Sequence, residues 1–221
     1  MVPIPPLADL LGPGGALARA LPSYEPRASQ LEMAEAVSSA LERGRALAVE
    51  AGIQPSSLPW KPWLRIGFDM GSGDDDAGDG HHESFFQMLP TARQYSLSTF
   101  YNLMNSEDAF AHVILRPIAG LVWRTDFHLL RLSEDDDLWY FGGGATRERR
   151  NVAFGYGGRP SGGKSSLMEI LETQFSYNWN DFVSTTAYYG HGFGEGVVKA
   201  DFRANDANYG FLEVTLKLPP M

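Results

Sequence analysis

Between Leu121 and Leu132 apolar and polar side chains alternate. Leu121, Trp123, Thr125, Phe127 and Leu129 share one parity, while Arg124, Asp126 and His128 share the other. Successive side chains of a strand point to opposite faces, so this stretch is a ribbon with one greasy and one charged face. The pattern returns through most of the chain from Trp63 to Leu218. Leu64, Ile66, Phe68 and Met70 oppose Arg65 and Asp69; Ala109, Ala111, Val113 and Leu115 oppose His112 and Arg116. Leu171, Thr173, Phe175, Tyr177 and Trp179 oppose Glu172, Gln174, Ser176 and Asn178, and Leu212, Val214, Leu216 and Leu218 oppose Glu213, Thr215 and Lys217. Such ribbons have two solutions. Packed greasy side inward they form a soluble sandwich; turned greasy side outward they form a membrane barrel with a polar interior.

Composition narrows the choice by exclusion. No run approaches the roughly 18 apolar residues of a membrane helix, and the mean hydropathy is -0.22. Membrane strands are short and alternating, so they remain allowed. A net charge of -9 leaves no basic excess with which to neutralise phosphates, so nucleic acid is not an expected partner. Cysteine is absent, which removes disulfides and thiolate metal sites. Aromatic residues at 12% together with 24 glycines suit a sheet protein with many turns.

Punctuation between the ribbons is uneven. Pro117 to Gly120 and Asn180-Asp181 read as tight turns, whereas Gly71 to Gly80 and Glu134 to Asp137 are acidic loops and a basic one follows Ala145. Long loops alternating with short turns are the asymmetry of outer-membrane barrels. Trp179, Tyr188, Tyr189 and Tyr209 read as interface girdles near strand ends.

Residues 1–57 differ in character. Ser29 caps an expected helix to about Arg43, with Leu31, Ala34, Val37 and Leu41 on one face, and Arg45 to Glu50 reads as a short buried strand. The proline-broken start, Met1 to Ala20, lacks the basic region of a secretory signal. Glu25-Pro26-Arg27, Gln30-Leu31-Glu32-Met33 and Leu47-Ala48-Val49-Glu50-Ala51-Gly52, within residues 14–52, resemble the opening of iron–sulfur-type superfamily-two DNA helicases. That resemblance implies an adenine-recognition glutamine and then a phosphate loop. Ile53-Gln54-Pro55-Ser56-Ser57 stands where the loop belongs, so no helicase activity follows.

Residues 58–221 carry a broader likeness. Trp60-Lys61-Pro62-Trp63, Gly67-Phe68-Asp69 and Gly71-Ser72-Gly73-Asp74-Asp75-Asp76 are followed by Phe85-Phe86-Gln87-Met88-Leu89-Pro90-Thr91 and Tyr101-Asn102-Leu103-Met104-Asn105. Asp137-Leu138-Trp139-Tyr140, Gly158-Arg159-Pro160-Ser161-Gly162-Gly163 and Ala187-Tyr188-Tyr189-Gly190-His191 complete the order. Together they resemble the C-terminal portion of the alginate export family. The resemblance implies a mainly β chain, part of an antiparallel transmembrane β-barrel in the outer membrane, preceded by a short helical segment. It also implies passive export of an anionic polysaccharide or a similar small anionic solute, contact with outer-membrane lipid, and periplasmic export partners. On the charged parity Arg65, Arg116 and Arg124, with His112 and His128, become the expected basic lining of the lumen. Guanidiniums attract carboxylates, while Asp69 and Asp126 keep binding weak enough for release.

Other chemistries find less support in the residues. Asp74, Asp75, Asp76 and Asp79 could gather a hard cation, but the spacing is not that of an EF-hand, and a solvated loop is the better reading. His81-His82 offer no strong metal geometry. Gly158 to Ser165 matches the phosphate-loop pattern completely, yet only a weak polar strand precedes it and too little chain follows for a nucleotide-hydrolase core. No hydrolase or metalloprotease motif appears, so neither enzyme activity nor a cofactor is expected. A soluble β-sandwich carbohydrate-binding module is the alternative, and a nonfunctional fusion or truncation product is another. Pro219-Pro220-Met221 also replaces the terminal aromatic usual in such barrels.

Overall fold

The computed structural model describes residues 46–55, 57–76, 81, 83–85, 96–98, 100–140 and 158–218, with isolated positions at 9, 13–16 and 19. The helix expected over residues 29–43 lies outside them. Among the described residues there are nine strands: β1 (Leu47–Ile53), β2 (Trp63–Gly71), β3 (Ser106–Leu115), β4 (Leu121–Arg131), β5 (Leu138–Tyr140), β6 (Gly158–Pro160), β7 (Ser166–Asn178), β8 (Val183–Gly194) and β9 (Asp206–Leu216). A short helix, α1 (Gly196–Asp201), joins β8 to β9. Seven strands form one antiparallel sheet in the order β1-β2-β3-β4-β7-β8-β9, and β5 pairs with β6 in a separate ribbon. The large sheet is open among the described residues, with β1 and β9 at its edges. No described helix is long and apolar enough to cross a membrane, which says nothing of crossing by strands.

Neighbours in sequence are neighbours in the sheet, so each expected turn becomes a hairpin or a loop at one of two ends. Gly120 closes the β3–β4 turn with φ +82°, and the Leu121 amide donates to the Ile118 carbonyl at 3.2 Å. Asn180 closes the β7–β8 hairpin, its side-chain oxygen accepting from the amides of Phe182 and Val183, each at 2.9 Å. The other end carries the long connections, 72–105, 132–165 and 195–205. Strands of ten to thirteen residues in β3, β4, β7, β8 and β9 reach the roughly 9–11 residues that a tilted strand needs to cross hydrocarbon.

The sheet crosses the boundary expected between residues 57 and 58, because β1 pairs with β2 from Leu47 opposite Met70 to Ile53 opposite Leu64. The short strand expected over Arg45 to Glu50 thus exists with shifted bounds. It is an edge strand, exposed or half-exposed along its length, and not a buried one. The phosphate-loop pattern fares as its context suggested. Gly158–Pro160 is β6, and Lys164-Ser165 lead into β7, a strand, so no helix N-terminus stands behind the glycines.

Candidate functional site on the inner face

The sheet is inverted relative to a soluble protein. Asp69, Asp108, His112, Asp126, His128 and Glu172 are all at most 3% exposed, whereas Ile66 is 64%, Leu171 46% and Leu212 71% exposed. Phe127, Leu129, Phe175, Phe193, Val214 and Leu216 are exposed on the same outer face. In water an apolar surface of that extent is unfavourable. Trp123 stacks on Phe175 with centroids 5.5 Å apart, and Tyr177 meets Trp179 edge-on at 4.8 Å beside the β7–β8 turn. The interface girdle expected of four aromatics splits by parity. Trp179 and Tyr189 face outward, but Tyr188 is buried and, with Tyr209, belongs to the inner face. Adjacent residues of a strand cannot share a face, so Tyr188 and Tyr189 had to divide.

Register builds the charged row. Arg65 lies opposite His112, His112 opposite Asp126, and Asp126 opposite Glu172. Arg65 Nε donates to His112 Nδ1 at 3.1 Å, and a second Arg65 nitrogen lies 3.2 Å from the Glu50 carboxylate. Arg124 pairs with Asp126 at 2.5 Å. Phe110 stacks on His112 at 4.6 Å, and Arg65 rests over the Phe110 ring at 5.5 Å. Gly67 makes room for that ring, since a Cβ there would stand 2.2 Å from Phe110 Cζ. One row further along, His128 Nδ1 lies 2.8 Å from Asp108 Oδ2, which also accepts from the Tyr101 hydroxyl at 2.7 Å. Burial and the Asp108 carboxylate push the Tyr101 hydroxyl well above its ordinary range, so it stays a donor.

Much of this face is lined by returning chain from the 72–105 connection. Glu172 accepts from the hydroxyls of Ser96 and Ser98 and from the amides of Leu97 and Ser98. Gly192 lies beneath the Phe100 ring, 3.2 Å from where its Cβ would be. Tyr101, Leu130, Leu132, Trp139, Leu167, Met168, Ile170, Val197 and Val198 form an apolar cluster at the long-loop end, with Phe100 and Leu103 packed on it. Beyond it the loops are knotted by two side chains. Asp137 accepts from the Asp74 amide at 3.1 Å, the Ser84 hydroxyl at 2.5 Å and the Tyr140 hydroxyl at 2.7 Å. Asn105, in the left-handed region at φ +48°, donates to the carbonyls of Glu134 and Leu138 and accepts from the Glu134 amide.

Of the five expected lining residues, Arg65, Arg124 and His112 border one inner cleft of about 110 Å³ with Trp63 and Ile114. His128 lies deeper, beside Tyr101 at 6.4 Å between rings. Arg116 stands apart, exposed just past β3, where its amide donates to the Trp60 carbonyl at 2.7 Å. The acids share the row: Glu50 and Asp126 hold the two guanidiniums, and Asp108 and Glu172 hold the inner segment. Asp69 lies in the same wall opposite Asp108. Of the acidic-loop candidates, Asp74 is buried and accepts from the Asp76 amide at 3.2 Å, Asp75 is exposed, and Asp79 lies outside the described residues. Sequence reasoning missed Glu172, Asp108 and Tyr101. The alternating glycines at 190, 192 and 194 were the available signal, because inward glycines mark a close approach by other chain.

The geometry defines an inside-out antiparallel sheet with short turns at one end, long loops at the other and a charged inner wall. The family model described as alginate export matches residues 32–191, and the chain belongs to that family. It is also 48% identical over 46 residues to the ATP-dependent DNA helicase YoaA of Escherichia coli (strain K12), a match covering 21% of this chain and 7% of that helicase. No solved structure matches the chain.

Proposed function

We propose that this chain supplies part of the wall of an outer-membrane β-barrel through which an anionic polysaccharide of the alginate type passes without chemical change. The observation that carries the reading is the inverted sheet. Ile66, Phe127, Leu171 and Leu212 are exposed while Asp126, His128 and Glu172 are buried, the distribution that suits lipid outside and a polar interior. A soluble sandwich would bury the opposite parity, and among the described residues no second layer covers it.

In this reading the cleft between Arg65 and Arg124 is the contact point for a uronate. Each guanidinium can present paired donors to a carboxylate, and Trp63 offers a ring edge or face to the sugar. Both cations already hold an acid, Glu50 at 3.2 Å and Asp126 at 2.5 Å. A passing carboxylate therefore exchanges with an internal partner, which keeps residence short, as conduction requires. His112 holds Arg65 in place through its Nδ1, and His128 and Arg116 play outlying parts. Outer-membrane lipid and periplasmic export components are the remaining partners in this proposal.

Conductance of the full chain in planar bilayers tests it. The expected result is an anion-preferring current that oligouronate reduces, with the preference weakened in Arg65→Gln and Arg124→Gln. A cation-preferring current, or one indifferent to both substitutions, would overturn the lining; no conductance under folding conditions would overturn the pore.

A further inference from the structure

The inner wall holds more buried negative charge than its guanidiniums offset. Asp69, Asp108, Asp126 and Glu172 are each at most 3% exposed. Arg65 and Arg124 are the guanidiniums on the same row, and Arg65 also serves Glu50. Asp69 and Asp108 stand directly opposite one another in the β2–β3 register, an arrangement that is destabilising for like charges. Neither oxygen of Asp69 has a hydrogen-bond partner among the described residues.

In the same wall His112 Nε2, Asp126 Oδ1 and His128 Nε2 also lack one among the described residues. His112, Asp126 and His128 each offer one ligand atom within 4.8 Å of those of the other two, and His112 Nε2 is 3.9 Å from Asp126 Oδ1. These residues are 3%, 3% and 0% exposed. We propose that His112, Asp126 and His128 form a binding site for one divalent transition-metal ion of the zinc class, held by two imidazole nitrogens and a carboxylate oxygen.

The donor set selects the metal. Two imidazoles favour zinc, nickel, copper or iron over calcium and magnesium, which prefer oxygen alone. Metal–ligand bonds of about 2.0–2.2 Å place neighbouring donors roughly 3.3–3.5 Å apart, so the site closes with side-chain movements of about an ångström. Around it stand the outer partners that such ligands use. Asp108 accepts from His128 Nδ1–H, leaving the lone pair on Nε2. His112 is held the other way, since Arg65 donates to its Nδ1 and the ring proton sits on Nε2. Binding therefore moves that proton from Nε2 to Nδ1 and turns Arg65 wholly to Glu50, already 3.2 Å away. Occupancy changes the setting of a guanidinium that borders the inner cleft. A dication also offsets the excess of buried carboxylates.

The site does not depend on whether the pore conducts. The full chain in detergent micelles, stripped with a chelator, is titrated with Zn²⁺ by calorimetry. The expected result is saturation at one ion per chain, weakened at least tenfold in His128→Ala and in Asp126→Asn. Asp108→Asn, which frees the outer partner, should weaken it about 10–100-fold. Replacing His81, His82 and His191 together should leave it intact. Zinc-edge X-ray absorption on the unaltered chain needs no variant to fold and should show two imidazoles in the first shell. A shell without imidazole, no saturable binding, or binding lost only with His81, His82 and His191 would overturn the proposal.

Discussion

Phe175 lies in the outer row of β7, away from both the loop end and the turn, with its ring stacked on Trp123 and 42% exposed. If that face meets lipid, Phe175→Arg puts a cation near mid-bilayer, a cost of about 2–4 kcal/mol. Loss of the stacked pair adds about 0.5–1.5 kcal/mol, a term shared with Phe175→Ala. The difference between the two variants isolates the charge and corresponds to about 30- to 1000-fold in the folding equilibrium. In water the same difference at a partly exposed position should stay within about 0.5 kcal/mol. Ser176→Arg, one residue along and facing inward, is the control and should cost much less than Phe175→Arg. Equilibrium refolding from denaturant into phosphatidylcholine vesicles reads all three. Phe175→Arg no costlier than Phe175→Ala, or Ser176→Arg costlier than either, would refute the assignment of faces.

Glu172→Gln replaces a carboxylate that accepts four donors with an amide, at about 1.5–3 kcal/mol for a charged hydrogen bond. Hydrogen exchange at the amides of Leu97 and Ser98, which donate to it, should quicken at least tenfold; unchanged exchange would remove Glu172 as the anchor. Gly71→Ala places a Cβ 1.8 Å from the Leu103 carbonyl oxygen, so it should destabilise by about 3 kcal/mol, the upper end for overpacking, and a neutral outcome in thermal unfolding would contradict the close approach. Burial and the acidic neighbours Asp75, Asp135 and Asp136 raise Glu134 above its ordinary value of 4.5. A raised carboxyl favours folding below that ordinary value and loses the benefit as pH rises through the folded one. Glu134→Gln should therefore stabilise the loops at pH 7 and do little below pH 4.5; proteolysis rates that show the reverse would be inconsistent with it.

The sequence made the strands legible because their side chains alternate where the register needs them to. β4 starts at Leu121, as its alternation implied, and the turns at Gly120 and Asn180 fall where small and polar residues permit them. Which segment lines the charged wall was not legible. Ser96, Ser98 and Tyr101 meet Glu172 and Asp108 through the fold alone, Ser96 and Ser98 across more than seventy residues, and no local pattern encodes that return. The expected lining was basic because arginines stand out on the polar parity. The structure adds that Glu50 holds Arg65 across the β1–β2 pair, and that Asp126, expected to keep binding weak, holds Arg124 from two residues along the same strand. β1 was expected as a strand but its edge position was not: Leu47, Val49 and Ala51 suggest burial, while an edge strand needs only one neighbour to form.

The central claim is that this sheet turns its apolar face to lipid and its charged face inward, and β4 tests it residue by residue. The chain has no cysteine of its own, so nitroxides can be placed singly at positions 121–129 in phosphatidylcholine vesicles. Accessibility to oxygen, which partitions into lipid, should then peak at Leu121, Trp123, Thr125, Phe127 and Leu129 and fall at Val122, Arg124, Asp126 and His128. Accessibility that peaks at Arg124 and Asp126 instead, or that shows no period of two, would contradict the account.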